Sequence, residues 1–284
     1  MTTASAAATP PGNAVRTAGA DLRDALHAEW TKLRTLASTY WLLLAAAALT
    51  IAVSAAVAAA FSCQPGECAF AQTGADPATI SLSGIDLGQA VVAVLAVMAV
   101  GGEYSTGMIR ITLAAMPRRL TVLSAKAAVL TGCVLAAGAV AVLGSFLAGR
   151  LILPGRGLSA VNGYQLLSLV NGPDLRAAVG SILYLALIAL MAVGITMAVR
   201  DSGVAIGLGL GLLYLFPIIS AAVTSPGWHR HLEQLSPMTA GLYIQATTNL
   251  RSLPLTPWQG LGVLAAWAAG AMLAGALLLR FRDA

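Results

Sequence analysis

The chain has 284 residues and a mass of 28.8 kDa; 58% of its residues are hydrophobic, 10% are charged, and its net charge is +5. Globular chains carry about 25% charged residues, so this composition, with a mean hydropathy of +0.83, excludes a compact soluble enzyme and puts the chain in a membrane. Of its 16 Lys/Arg and 11 Asp/Glu, only Asp86 falls within six apolar stretches, at 40–61, 84–102, 127–149, 177–199, 202–224 and 258–279. Each is long enough to cross the roughly 30 Å hydrocarbon layer as a helix rising 1.5 Å per residue.

Residues 1–20 are rich in Ala, Thr, Pro and Gly and lack the apolar core of a secretory signal; they are expected to be a disordered arm before a single six-span unit over 21–284. From Asp21 to Leu36 the pattern turns helical. Leu22, Leu26, Trp30, Leu33 and Leu36 fall on one side, opposite Arg23, Asp24, His27 and Arg34. This predicts an amphipathic helix along the membrane surface, with Trp30 at the interface and Lys32 among the basic residues that suit anionic headgroups. Glu29 falls within the apolar stripe. It either pairs with Lys32 at i+3 or with Arg110, or helps a soluble partner dock beneath the helix.

After the first span, Cys63 and Cys68 flank Gln64-Pro65-Gly66-Glu67. A Pro-Gly turn brings two cysteines within disulfide range, and an oxidising outer compartment permits the bond. A metal site joining them to His229 and His231 needs two distant loops to converge. The loop at 62–83 has no Lys or Arg, whereas the arm and the segment after the second span are basic. By the positive-inside rule both termini are therefore cytoplasmic, and the charge of +5 calls for no nucleic acid partner.

Between the second and third spans the chain reads GGEYSTGMIRITLAAMPRRLTVLSAKA, residues 101–127. Residues 103–113 are predicted to form a short amphipathic cytoplasmic helix, stopped by Pro117; charge alone also fits a plain solvated loop. Cys133, within the third span, reads as a packing residue. The fifth span carries Gly203, Gly207 and Gly211 at four-residue spacing, a ridge for close helix packing within the subunit or against a second copy. Pro217 is expected to kink that span. The segment 225–257, with Trp228, Pro237, Tyr243 and Pro254, is expected to form short helices at the outer membrane face.

No nucleotide or hydrolytic motif is present. The chain's only lysines follow Thr31 and Ala125, which excludes a P-loop, and its histidines form no H-E-x-x-H. A proton- or ion-driven carrier holds ionisable groups inside the membrane, and Asp86 alone builds no relay. Energy must come from a partner.

The run Glu103, Gly107, Met108, Ile109, Arg110, Pro117, Arg119 and Lys126 resembles the first cytoplasmic loop of ABC type 2 permeases, the six-span membrane subunits of ABC exporters. Glu29-Trp30-Thr31-Lys32-Leu33-Arg34 is similar to the amphipathic elbow before their first span, although Met108 stands where many relatives have Thr. The resemblance implies an all-α subunit of the bacterial plasma membrane that is not itself an enzyme. ATP and Mg would be held by a separate ATP-binding subunit docked on Glu103, Tyr104, Thr106, Gly107, Met108 and Arg110, with a second permease copy or a similar chain alongside. Walls rich in Ala, Leu, Val and Gly fit a lipophilic cargo. The competing expectation is a multi-pass structural or sensory protein that transports nothing.

Overall fold

A computed structural model describes residues 18–35, 37–62, 75–108 and 119–281. The regular elements among them are all helical. In chain order they are α1 (Ala18–Thr35), α2 (Ala37–Ala60), α3 (Pro77–Leu82), α4 (Ile85–Ser105), α5 (Arg119–Ile152), α6 (Gly172–Val199), α7 (Ser202–Ala222), α8 (Pro226–Leu235), α9 (Pro237–Leu242) and α10 (Pro257–Phe281), with four short 3-10 turns between them. Six segments are long and apolar enough to cross a membrane: Ala37–Ala60, Pro77–Ser105, Leu120–Arg156, Gly172–Val199, Ser202–Ala222 and Pro257–Phe281. The six expected spans each fall on one of them. The 34 residues of α5 reach about 50 Å, well beyond the hydrocarbon layer, so its charged ends extend past the apolar stretch.

The six spans are not equivalent. Those containing α4 and α6 are 61% buried within the chain, against 22–33% for the other four, so α4 and α6 form the centre and the others a shell. Close approach of backbones holds α6 to α10: a Cβ on Gly194 would lie 2.4 Å from the carbonyl carbon of Ala271. On the other side of the bundle the backbone N–H of Gly84 donates to Ser54 Oγ at 3.0 Å, fastening the start of α4 to α2. In lipid, where apolar contact alone discriminates little, small residues and such polar bonds decide which helices meet. Inside the bundle, Gln89 accepts from the Tyr184 hydroxyl and donates to the carbonyl of Asp86, to which the Tyr214 hydroxyl also donates. At the far end from α1, the carboxylate of Asp76 caps α3 and also accepts from the N–H of Thr248 at 3.0 Å, tying α3 to the loop before α10.

Three expectations change. First, α1 begins at Ala18, inside the stretch expected as a disordered arm; residues 1–17 lie outside the described residues. Its packed face is Ala25, Glu29 and Leu33, while Leu22 and Trp30 point outward at 39% and 51% exposure. The glutamate that broke the apolar stripe lies at the centre of the buried face because oppositely charged groups meet it there. Second, among the described residues the glycine ridge of α7 does not pack within the subunit: a Cβ on Gly207 or Gly211 would meet none of them within 4 Å, and one on Gly203 only Asp201 at 3.4 Å. Third, the helix expected over 103–113 is broken between 103 and 108, and residues 109–113 lie outside the described residues. Glu103 to Ser105 finish α4, and Gly107 turns the chain away with φ +72°. The α7 helix runs through Pro217, and 225–257 holds α8, α9 and two 3-10 turns.

Candidate functional site: a four-charge cluster

Three helices each bring charge to one point. On α1, Glu29 and Lys32 are three residues apart and share a face. Glu103 lies in the last turn of α4, and Lys126 lies within α5, one residue before its long apolar run. Lys126 Nζ donates to Glu29 Oε2 at 2.8 Å and to Glu103 Oε1 at 2.7 Å. Lys32 Nζ donates to Glu29 Oε1 at 3.0 Å and to Glu103 Oε1 at 3.1 Å. The four ion pairs close a ring of two cations and two anions with no net charge.

Burial makes this ring consequential. The Lys126 and Glu29 side chains are only 4% and 6% exposed, Glu103 is 12% exposed, and Lys32 is open at 32%. An unpaired charge at such a site costs several kcal/mol, so each member depends on the others. Burial alone would raise the carboxyl of Glu29, but Lys126 and then Lys32 outweigh it and hold it below its ordinary 4.5. Burial would likewise lower Lys32, yet Glu29 and Glu103 raise it above 10.5. Both groups are charged throughout the neutral range.

The end of α4 next to the ring is differently built. The Thr106 hydroxyl donates to the carbonyl of Gly102 at 2.8 Å, and the N–H of Gly107 to the carbonyl of Tyr104 at 3.2 Å, which closes the helix. Ser105 and Thr106 are exposed, and Met108 is 46% exposed. Tyr104 turns inward, with its hydroxyl 3.5 Å from Met197 Sδ. Of the six residues expected on a docking surface, Thr106, Gly107 and Met108 therefore stand outward, Glu103 and Tyr104 face into the bundle, and Arg110 lies outside the described residues. The pairing of Glu29 with Lys32 is as expected from their spacing. Its stronger partner, Lys126, was missed as a site residue. The signal was there: both of the chain's lysines enter the ring, and a lysine at the head of an apolar helix needs a carboxylate.

The remaining candidates do not join this site. Cys63 and Cys68 lie outside the described residues, and Cys133 is a free, half-buried thiol. Among the described residues no group of three or more His, Cys, Asp or Glu could hold a metal; His229 Nδ1 lies 3.6 Å from Glu233 Oε2 within α8. The family model described as ABC-2 family transporter protein matches residues 25–218, a stretch that contains all four charged residues of the ring. Among curated proteins, none matches the chain.

Proposed function

Because the chain belongs to the ABC-2 transporter family, and is thus the multi-pass permease component of an ABC transporter, we propose that it is the membrane subunit of an exporter in the bacterial plasma membrane. Both termini face the cytoplasm, α1 is the elbow lying on that surface, and ATP and Mg are bound by a separate ATP-binding subunit. That subunit docks on Thr106, Gly107 and Met108, which stand outward after α4, together with Arg110. The lipophilic cargo crosses beside the apolar spans, and a second permease packs on the open glycine face of α7, where Gly207 and Gly211 have nothing within 4 Å.

The observation that supports coupling at this loop is the ring itself. Glu103 stands three residues before Thr106 and is ion-paired to both α1 and α5. A displacement of the exposed end of α4 must either carry those two helices with it or break buried ion pairs, which is costly. A push from a docked motor is thus shared by three helices.

The test is whether an ATP-binding subunit co-purifies with the chain from its native membrane, followed by transport in vesicles. Arg110→Glu and Met108→Asp should release the ATPase while the permease remains folded. If no ATPase co-purifies with the wild type under any nucleotide condition, the non-transporting structural reading replaces this one.

A further inference from the structure

A cavity of about 450 Å³ opens beside the ring, between α1, the first turns of α2 and the last turns of α4. That volume lies in the roughly 300–1,000 Å³ range of ligand pockets. Its walls are mainly apolar, from Leu33, Leu42, Leu95 and Met98.

Two of its lining residues hold unspent hydrogen-bonding capacity. An ammonium has three donors, and among the described residues Lys32 gives them only to Glu29 Oε1 and Glu103 Oε1. Glu103 accepts from both lysines through Oε1, while its Oε2 is sealed from water and, among the described residues, takes no hydrogen bond. A buried oxygen without a donor is a standing cost that an incoming N–H would remove. The terminal torsion of a glutamate is broad, so its carboxylate can turn to meet that donor. The spare donor and the spare acceptor thus belong to side chains that line the cavity and are already 3.1 Å apart, and a turn of the Glu103 carboxylate is what brings its free oxygen to the cavity.

The aromatic residues around it fix its depth. Trp30, Tyr40 and Trp41 are exposed by 51%, 54% and 70% on α1 and the start of α2, and Trp and Tyr in this setting settle at the level of lipid headgroups.

From these observations we infer that the cavity binds a zwitterionic amphiphile with a primary ammonium, an aminophospholipid. Its ammonium donates to Glu103 Oε2, its phosphate accepts from Lys32, and its acyl chains lie along Leu42, Leu95 and Met98. A choline headgroup has no N–H and leaves Glu103 unsatisfied. A phosphatidylglycerol headgroup offers Glu103 only neutral hydroxyl donors and adds an uncompensated negative charge to a ring that has none. The inference rests on the cavity and does not depend on ATPase docking.

The test is native mass spectrometry of the purified full-length protein after incubation with equal amounts of phosphatidylethanolamine, phosphatidylcholine and phosphatidylglycerol. Retention of phosphatidylethanolamine about tenfold above phosphatidylcholine is expected, the discrimination one charge-assisted hydrogen bond provides. Glu103→Gln should reduce that preference to near unity. Met98→Trp, which fills the cavity without touching the ring, should lower retention of all three lipids. Free phosphoethanolamine, which has the headgroup without the apolar body, should not displace the lipid. Equal retention of the ethanolamine and choline lipids, undiminished binding by Met98→Trp, or displacement by phosphoethanolamine would each overturn the proposal.

Discussion

The ammonium of Lys126 lies 2.8 Å from the carboxylate of Glu29, 97 residues away in the chain, with both side chains almost wholly out of water. This contact fastens α1, which does not cross the bundle, to the head of the longest helix. Its loss is therefore felt beyond the pair. Lys126→Met leaves a buried oxygen of Glu29 unpaired and removes one of Glu103's two partners, a destabilisation of about 3–5 kcal/mol. A lower melting temperature in detergent would report it. Adding Glu29→Gln to Lys126→Met leaves only the balanced pair Lys32–Glu103, so the double variant should recover part of the lost stability. A double variant less stable than Lys126→Met alone would contradict the ring's energetics.

The ring should be insensitive to pH across the neutral range. The carboxyl of Glu29 is depressed below 4.5, so its contribution is fully present above that value and is lost as pH falls through its lower, folded-state value. Lys32 is raised above 10.5, so its contribution is present below that value and is lost as pH rises through its higher folded-state value. Melting temperatures of the wild type and of Glu29→Gln should therefore differ by a constant amount between about pH 5 and pH 10, the gap narrowing below that window as Glu29 gains its proton and above it as Lys32 loses its own. A gap that changes steeply near pH 7 would show that another group controls this site.

Glycines in α6 and α7 should respond in opposite ways. A methyl group on Gly194 would press into the backbone of α10, 2.5 Å from the nitrogen of Met272, and neither helix can yield locally. Gly194→Ala should therefore lower the yield of folded protein sharply, as overpacking by 1–3 kcal/mol or more does. Gly207→Ala has open space and exchanges glycine for a better helix former, a gain of up to about 1 kcal/mol for the monomer. The larger Gly207→Leu should leave the monomer folded but reduce cross-linking between two copies, if the second permease packs on α7. Unchanged cross-linking would move that interface elsewhere.

The turn after α4 gives a fourth test. Gly107 has φ +72° and, among the described residues, nothing within 4 Å of its missing Cβ, so its requirement is backbone conformation, not space. Gly107→Val strains the left-handed conformation by about 1–2 kcal/mol, whereas Gly107→Asn tolerates it better. ATPase association should fall with valine and persist with asparagine. Equal loss in both would mean that the glycine's small size is what matters to the partner.

The sequence alone was enough to establish that the chain is a helical membrane protein with six spans, and nearly where each lies. Long apolar runs such as 127–149 and 177–199 carry that information locally, because the bilayer sets the length and lipid excludes unpaired backbone. The order of motifs from Glu29 to Lys126 was likewise enough to suggest the family that residues 25–218 match. Tertiary structure decided which way side chains face. By periodicity Trp30 and Glu29 fell on one apolar stripe facing the membrane, with Glu29 the exception, yet in the fold Glu29 is 4% exposed and turned into the bundle while Trp30, at 51%, points outward. The reason is that periodicity ranks residues by their affinity for water, whereas the cost of burying a charge depends on what meets it. Lys126 and Glu103 meet Glu29 from helices distant in the chain, and only the packing of α1, α4 and α5 brings them together.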